Sequence, residues 1–200
     1  KEHDVEVVAV YEGYKGLIEG NTKLFGMRDV SNIIGRGSTF LYSARCDEFR
    51  YEEGMQKAIA NCRKNKIDGL VCIGGDGTYK GALALHNLGV PVIALPGTID
   101  NDLQYTDLTI GFDTALNTAL TMIDDLRDTC ESHSRCVVAE VMGNGCGFLS
   151  LYAGISAGSI CIAIPEIEFD KEYAIKKIAA AREQFGKRGM IAICSEGLPK

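Results

Sequence analysis

The chain has 200 residues, 46% of them hydrophobic, which suffices for one ordinary domain or two small lobes. Its net charge of -6 comes with no basic block, so a nucleic-acid partner is not expected. No apolar run is long enough to span a bilayer and no leader precedes the first apolar run, so we expect a cytoplasmic protein without a membrane anchor.

Apolar, β-branched runs predict six strands in chain order. They cover Val5–Val10, Leu70–Ile73, Val90–Leu95, Cys136–Val141, Ile160–Ile164 and Met190–Cys194. Segments with helical spacing separate the later strands. This alternation predicts an α/β fold of mostly parallel strands with helices on both faces of the sheet.

The clearest helical spacing follows the third predicted strand. Its apolar stripe is interpreted as core, with Asp113 placed to cap the start of the helix. The stripe contains Ala115, Ala119, Met122 and Leu126, widened by Leu116 and Ile123.

Four of the eight cysteines lie inside the predicted strands, namely Cys72, Cys136, Cys161 and Cys194. There is no CxxC pair or other metal-ligand spacing. We therefore expect reduced core cysteines rather than disulfides or a metal centre.

Polar, acidic or glycine-rich segments follow five of these strands, where an open parallel sheet binds its ligands. They are GGDG at 74–77, PGTIDND at 96–102, MGNGCG at 142–147, PEIE at 165–168 and SEG at 195–197. We expect one rim of the sheet to gather them.

The GGDG segment has the composition of a phosphate loop. Its glycines let backbone amides approach phosphate oxygens, and a helix predicted to begin near Thr78 adds the positive end of its dipole. Asp76 cannot bind phosphate directly, but it can bind a magnesium ion that carries the nucleotide. The alternative is a tight turn in which Asp76 makes an Asx-type hydrogen bond.

The PGTIDND segment places Asp100 and Asp102 directly after a buried strand. If one carboxylate faces magnesium, the other can accept the proton of a substrate hydroxyl as that hydroxyl attacks phosphorus, with Thr98 as a further contact. The alternative is a solvated acidic turn.

Arg45 and Arg135 could each bind phosphate or carboxylate with two parallel hydrogen bonds. A single arginine of this kind is more often part of a surface ion pair. The histidines lack partners at ligand spacing and are assigned no chemistry.

Five motifs together resemble the 6-phosphofructokinases of the bacterial ATP-dependent type, from about Tyr11 to the end of the chain. They are GGDGTYKGA, PGTIDND, TIGFDTA, LRDTCESHSR and AEVMG, in the family's order and at matching separations. The first motif alone also resembles NAD kinases and diacylglycerol kinases, which lack the other four.

The resemblance implies a three-layer αβα, Rossmann-like fold with two lobes, here an incomplete phosphofructokinase fold. Residues 1–111 would form part of the nucleotide-binding lobe and residues 112–200 part of the sugar-phosphate-binding lobe. The implied reaction transfers the γ-phosphoryl group of ATP, with Mg²⁺, to the 1-hydroxyl of fructose 6-phosphate. A homotetramer with sites shared between subunits is implied as well.

The resemblance also implies roles for single residues. Asp100 corresponds to the catalytic base, Thr98 to a neighbouring substrate contact, Asp76 to the magnesium ligand and Asp102 to the rest of the acidic cluster. The implied ATP contacts are Arg45, Cys46, Gly75, Asp76, Gly77, Thr78 and Gly81. The implied sugar-phosphate contacts are Thr98, Ile99, Asp100, Met142, Gly143, Asn144 and Glu196, with Arg135 reaching the site of a neighbouring subunit.

The chain departs from the family pattern in three respects. The family's first strand with its GGDxPGxNA loop and the later sugar-phosphate residues are absent, so we expect an incomplete piece that is inactive by itself. Asn144 and Gly145 stand where the family has an arginine. Met27 and Ile160 replace an arginine and a glutamate of the usual effector site, where Arg127 and Gly158 remain. The alternative function is a catalytically silent paralogue that binds nucleotide or sugar phosphate to regulate an active subunit.

Overall fold

The computed structural model describes residues 3–186 and 188–198. The helices are α1 Gly13–Glu19, α2 Glu52–Lys64, α3 Asp76–Asn87, α4 Phe112–Ser132, α5 Phe148–Ser156 and α6 Lys171–Phe185. The strands are β1 Val7–Val10, β2 Thr22–Phe25, β3 Leu70–Gly74, β4 Val92–Thr98, β5 Ile110–Gly111, β6 Cys136–Val141, β7 Cys161–Ala163 and β8 Met190–Ser195. Among the described residues, a 3-10 turn covers Asp47–Arg50.

The predicted α/β class and parallel pairing are confirmed in two three-stranded sheets. One has the order β3-β4-β5 and the other β6-β8-β7. Strand β4 runs parallel to β5, and β6 and β7 each run parallel to β8. The loops expected on one rim follow strands of two sheets, and β1 pairs antiparallel with β2 in a separate two-stranded sheet.

The chain divides into two compact units. The first comprises residues 1–72 and 77–95, and the second comprises residues 73–76 and 96–200. The assignment of 1–111 to nucleotide binding and 112–200 to sugar-phosphate binding stays a prediction.

The core of the first unit forms where α1, α2 and α3 meet. Its buried members include Leu17 of α1 and Leu85 of α3, together with Ala58 and Cys62, which lie four residues apart on one face of α2. Phe49 from the 3-10 turn completes this core and stacks on Tyr14 with the ring centroids 4.0 Å apart.

The core of the second unit packs α4 and α5 against the β6-β8-β7 sheet. Phe112, Ile123 and Cys130 are the buried residues of α4, and Leu116 and Leu120 lie partly buried beside them. The predicted stripe is therefore wrong at two positions, because Met122 is 62% exposed and Leu126 is 40% exposed. The buried face is rotated toward Leu120 because α4 packs on α5 as well as on the sheet.

Two helix starts differ from prediction. Helix α3 begins at Asp76, two residues before Thr78, so the aspartate lies in the first turn. Helix α4 begins at Phe112, with Gly111 in the left-handed conformation at the N-cap (φ 107°). Asp113 thus lies in the first turn, where its charge favours the helix dipole, and it does not cap the helix.

All eight cysteines are free thiols, as expected. Cys72, Cys136, Cys161 and Cys194 are half-buried rather than fully buried. Burial raises the pKa of each of these four thiols, so they remain protonated at neutral pH.

Candidate active site

Strand β4 extends three residues beyond its predicted end at Leu95, through Pro96 and Gly97 to Thr98. The predicted PGTIDND loop therefore begins only at Ile99, which packs against the core of the second unit. The Thr98 Oγ1 accepts a hydrogen bond from the backbone N–H of Asp100 at 3.2 Å. This bond fixes the backbone of the first residues after strand β4.

Asp100 is a half-buried carboxylate in an acidic environment. Burial raises the pKa of the Asp100 carboxyl, the negative charge of Asp102 raises it further, and Glu196 adds a smaller rise. A hydrogen bond from the Thr98 side chain opposes these effects by lowering the pKa. A carboxylate whose pKa is raised is a stronger base than an exposed aspartate.

Asp102 has a buried carboxylate oxygen that makes no hydrogen bond to a described residue. Its Oδ1 is inaccessible to solvent and has no hydrogen-bond partner among the described residues. A buried carboxylate oxygen without a partner is costly and requires a counter-charge. The position is therefore suited to a cation that the described residues do not supply.

Asp76 lies at the N-terminal end of α3, where backbone N–H groups favour anions. In the second unit the preceding Gly75 lies against Thr98, and an added Cβ at Gly75 would be 3.4 Å from the Thr98 Cβ. Gly75 thus lets the turn after β3 approach the end of β4. Asp76 and Thr98 accordingly belong to one neighbourhood of the same unit.

Glu196 organises the loop that follows β6. Its Oε1 accepts hydrogen bonds from the backbone N–H groups of Gly143 at 3.0 Å and Asn144 at 2.6 Å. These bonds, that of Asn144 above all, lower the pKa of Glu196. The preceding Met142 is 60% exposed. Four predicted sugar contacts, Met142, Gly143, Asn144 and Glu196, therefore lie in one cluster.

Sequence reasoning missed two supports of this cluster. The Glu166 Oε1, after β7, accepts a hydrogen bond from the Gly147 N–H at 2.7 Å and so holds the entry to α5. The buried Ser195 hydroxyl donates to the Cys146 carbonyl oxygen at 3.4 Å. The acidic PEIE segment at 165–168 was the signal that could have identified Glu166.

The predicted ATP contacts after Asp76 belong to the first unit. Tyr14 donates a hydrogen bond from its hydroxyl to the carbonyl oxygen of Thr78 at 2.6 Å. Its ring also covers Gly81, where an added Cβ would be 2.5 Å from the Tyr14 Cε2. Gly77 faces open space, with nothing within 4 Å of an added Cβ.

The remaining predicted ATP contacts, Arg45 and Cys46, precede the 3-10 turn of the first unit. Arg45 is exposed, and Cys46 packs partly against the core of that unit. Their roles, like those of Gly77, Thr78 and Gly81, stay predictions.

Arg135 lies at the opposite end of β6 from the Glu196 cluster. Its carbonyl oxygen accepts a hydrogen bond from Met190 at the start of β8, while Met142 follows the other end of β6. Six residues of strand separate the two ends, about 20 Å at a rise of about 3.3 Å per residue. Arg135 and the Glu196 cluster of the same chain are thus not brought together.

Arg127 and Gly158, the retained effector-site residues, lie near each other in the second unit. The Arg127 guanidinium donates a hydrogen bond to the carbonyl oxygen of Ala157, the residue before Gly158. Met27 belongs to the first unit and is 75% exposed. The uncharged Met27 side chain cannot bind an anionic effector as an arginine would.

The acidic groups suit a magnesium ion that arrives with a nucleotide. Among residues 3–186 and 188–198, no group of three or more His, Cys, Asp or Glu side chains forms a complete metal site. Magnesium commonly uses one or two carboxylates and completes its shell with water and substrate phosphate oxygens. The unpartnered Asp102 oxygen fits such a partial site. No described helix has the length and apolarity needed to cross a membrane.

Parallel sheets with acidic and glycine-rich loops at their carboxyl ends define the chain as an α/β protein of the doubly wound class. The phosphofructokinase family model matches residues 1–200. The chain belongs to the phosphofructokinase family.

Curated relatives include the ATP-dependent 6-phosphofructokinases of Bacillus licheniformis and Bacillus subtilis. Each is 50% identical over 196 residues, which is 98% of this chain and 61% of the relative. The chain thus spans about three fifths of the length of these relatives.

Solved structures confirm the predicted fold class. Phosphofructokinase from Saccharomyces cerevisiae matches 96% of this chain and 30% of its own, with 36% identity and a TM-score of 0.86. The T-state enzyme from Pichia pastoris matches 99% of this chain and 23% of its own, with 35% identity and a TM-score of 0.91.

Proposed function

We propose that the protein to which this chain belongs transfers the γ-phosphoryl group of ATP to the 1-hydroxyl of fructose 6-phosphate. It would act in glycolysis, in the cytoplasm, as a homotetramer. The observation that carries the proposal is the pair Asp100 and Asp102 at the carboxyl end of β4. The names of the curated relatives give the same donor and acceptor.

In this proposal Asp100 accepts the proton of the substrate hydroxyl. The hydroxyl oxygen forms a bond to the γ-phosphorus as the bond from that phosphorus to ADP breaks. The raised pKa of Asp100 suits this role, since the proton acceptor must compete with water. Thr98 orients Asp100 through the bond at 3.2 Å.

Asp76 and Asp102 would hold magnesium, and Asp102 is included because its buried oxygen has no partner. The ion would neutralise negative charge on the phosphoryl group. The first turn of α3 would direct its backbone N–H groups at phosphate oxygens, with Gly75, Gly77, Thr78 and Gly81 beside it. Arg45 and Cys46 would complete the nucleotide site.

The sugar would contact Ile99, Met142, Gly143, Asn144 and Glu196. Glu196 already binds the two loop amides through Oε1, which leaves its Oε2 for a sugar hydroxyl. Arg135 would bind the sugar phosphate in a neighbouring subunit, since it lies at the far end of β6 in its own chain.

One observation favours a second candidate, a silent paralogue that binds nucleotide or sugar phosphate and regulates an active subunit. Asn144 and Gly145 offer no cation at the position where the family has an arginine. A single assay separates the two candidates. The full-length protein is supplied with magnesium, fructose 6-phosphate and either ATP or pyrophosphate.

The proposal expects turnover with ATP and little with pyrophosphate. Binding of ATP or fructose 6-phosphate without turnover would favour the regulatory paralogue. Preferential use of pyrophosphate would refute the donor assignment while leaving the role of Asp100 intact.

A further inference from the structure

The loop between Asp100 and Thr109 is closed by the side chain of Asn101. The Asn101 Oδ1 accepts a hydrogen bond from the backbone N–H of Thr109 at 2.8 Å. The Asn101 Nδ2 donates to the Asp107 carbonyl oxygen at 3.4 Å. One side chain thereby joins the start of the loop to its end.

The backbone of Asn101 adds a second constraint. Its φ of 56° lies in the left-handed region, which asparagine tolerates better than most residues with a Cβ. Asparagine is therefore the residue type that can adopt this turn and still offer both a donor and an acceptor.

Both ends of the loop are anchored in the same place. Gly97 and Thr98 of β4 pair with Ile110 and Gly111 of β5, directly after Thr109. Thr109 itself is only 4% exposed. The Asn101–Thr109 bond therefore connects the acidic turn to a buried and hydrogen-bonded position.

The two hydrogen bonds of Asn101 constrain the turn that carries both acidic side chains. Asp100 and Asp102 flank Asn101, and like charges on neighbouring carboxylates repel each other. An eleven-residue connection without such a bond would let the two carboxylates separate into solvent.

We propose that Asn101 is a positioning residue, which fixes the turn between Asp100 and Asp102 through its bonds to Thr109 and Asp107. The inference rests on the proposed function and extends it to a residue that does not contact the reacting atoms. It assigns to the asparagine of the DND sequence a role separate from that of either aspartate.

The test compares Asn101→Gly with wild type in the full-length protein. Glycine tolerates the left-handed backbone and lacks the side chain that makes both bonds, and the control variant below accounts for the backbone freedom that glycine adds. The kcat is expected to fall by about 10- to 100-fold, the scale of a small misplacement at a reacting centre. The KM values for ATP and fructose 6-phosphate should change less than kcat does, because most of the proposed substrate contacts lie outside the turn.

A matched control is Asn32→Gly, since Asn32 is an exposed asparagine of the first unit with a φ of 59°. It should leave kcat unchanged. Hydrogen exchange gives a readout independent of turnover, and the Thr109 amide should exchange at least about tenfold faster in Asn101→Gly than in wild type.

A variant that keeps the wild-type kcat, or one in which only KM changes, overturns the positioning role. Unchanged exchange at Thr109 overturns the bond on which that role depends. A wild-type protein without turnover overturns the proposed function and the inference with it, so the two failures are distinguishable.

Discussion

Asp102 lies close enough to Asp100 for its negative charge to raise the pKa of the Asp100 carboxyl, in addition to the larger rise that burial causes. The proposed base is thus tuned by a neighbour two residues away. Removing the Asp102 charge should therefore lower the pKa of Asp100, and the direction of that change can be measured.

The first prediction concerns Asp102→Asn. Because the base must be ionised, the acidic limb of the pH profile of kcat/KM follows the pKa of Asp100. Removing the Asp102 charge lowers that pKa, so the limb should move to lower pH. A limb that stays in place, or moves to higher pH, would contradict the coupling. Asp107→Asn, at an exposed position of the same loop, serves as the control.

A second prediction concerns the choice of phosphoryl donor. Gly77 faces open space in the first turn of α3, so Gly77→Asp should fold, and its charge should even favour the helix dipole. The added carboxylate should nevertheless repel the ATP phosphates and raise the KM for ATP by about tenfold or more. Steady-state kinetics with each substrate would measure this.

The neutral and nearly isosteric Gly77→Asn is the matched control for that charge. It should raise the KM for ATP much less. Equal effects from the two variants would mean that size rather than charge is responsible.

A third prediction tests whether a second subunit completes the site. Arg135→Ser and Asp100→Asn proteins should each be nearly inactive alone. Mixed oligomers should recover activity, because some sites would then contain Arg135 from one chain and Asp100 from another. Mixed oligomers that form, as shown by mass spectrometry, yet recover no activity would argue against a shared site.

A fourth prediction concerns stability. Ser150 of α5 is fully buried, and its Oγ has no hydrogen-bond partner in the described structure. Ser150→Ala should leave the melting temperature unchanged or raise it by a few degrees, since it removes an unsatisfied hydroxyl. The reverse change at Ala153, which is equally buried on the same helix, should destabilise by about 1–3 kcal/mol. A large loss of stability in Ser150→Ala would mean that its hydroxyl has a partner.

Most strands and the loops that follow them could be predicted from sequence because each apolar run gives way within two residues to a glycine or an acidic residue. The four-residue β2 and the two-residue β5 could not, since neither has an apolar pattern long enough to be recognised. The sequence predicts the start of α3 two residues too late because Gly77 suggests a loop, although Gly77 lies in the first turn of the helix.

The core face of α4 shows a different limit. Periodicity alone finds a stripe that contains both Met122 and Ile123, whereas packing against α5 buries the Ile123 side and leaves Met122 exposed. The role of Asn101 also depends on a partner eight residues away, and no local pattern predicts that Thr109 returns to meet it. Sequence identifies the acidic groups of the site but not the bonds that hold them.

The measurement closest to the central claim is the turnover of Asp100→Asn in the full-length protein with ATP, magnesium and fructose 6-phosphate. Loss of the base should lower kcat by about two to four powers of ten while ATP binding remains nearly unchanged. The pKa of Asp100 is raised in the folded protein, so the charged carboxylate destabilises the folded state at pH values above that pKa. Asparagine carries no charge, so the variant should melt at a higher temperature than wild type at neutral pH. A variant with near wild-type turnover would contradict the account.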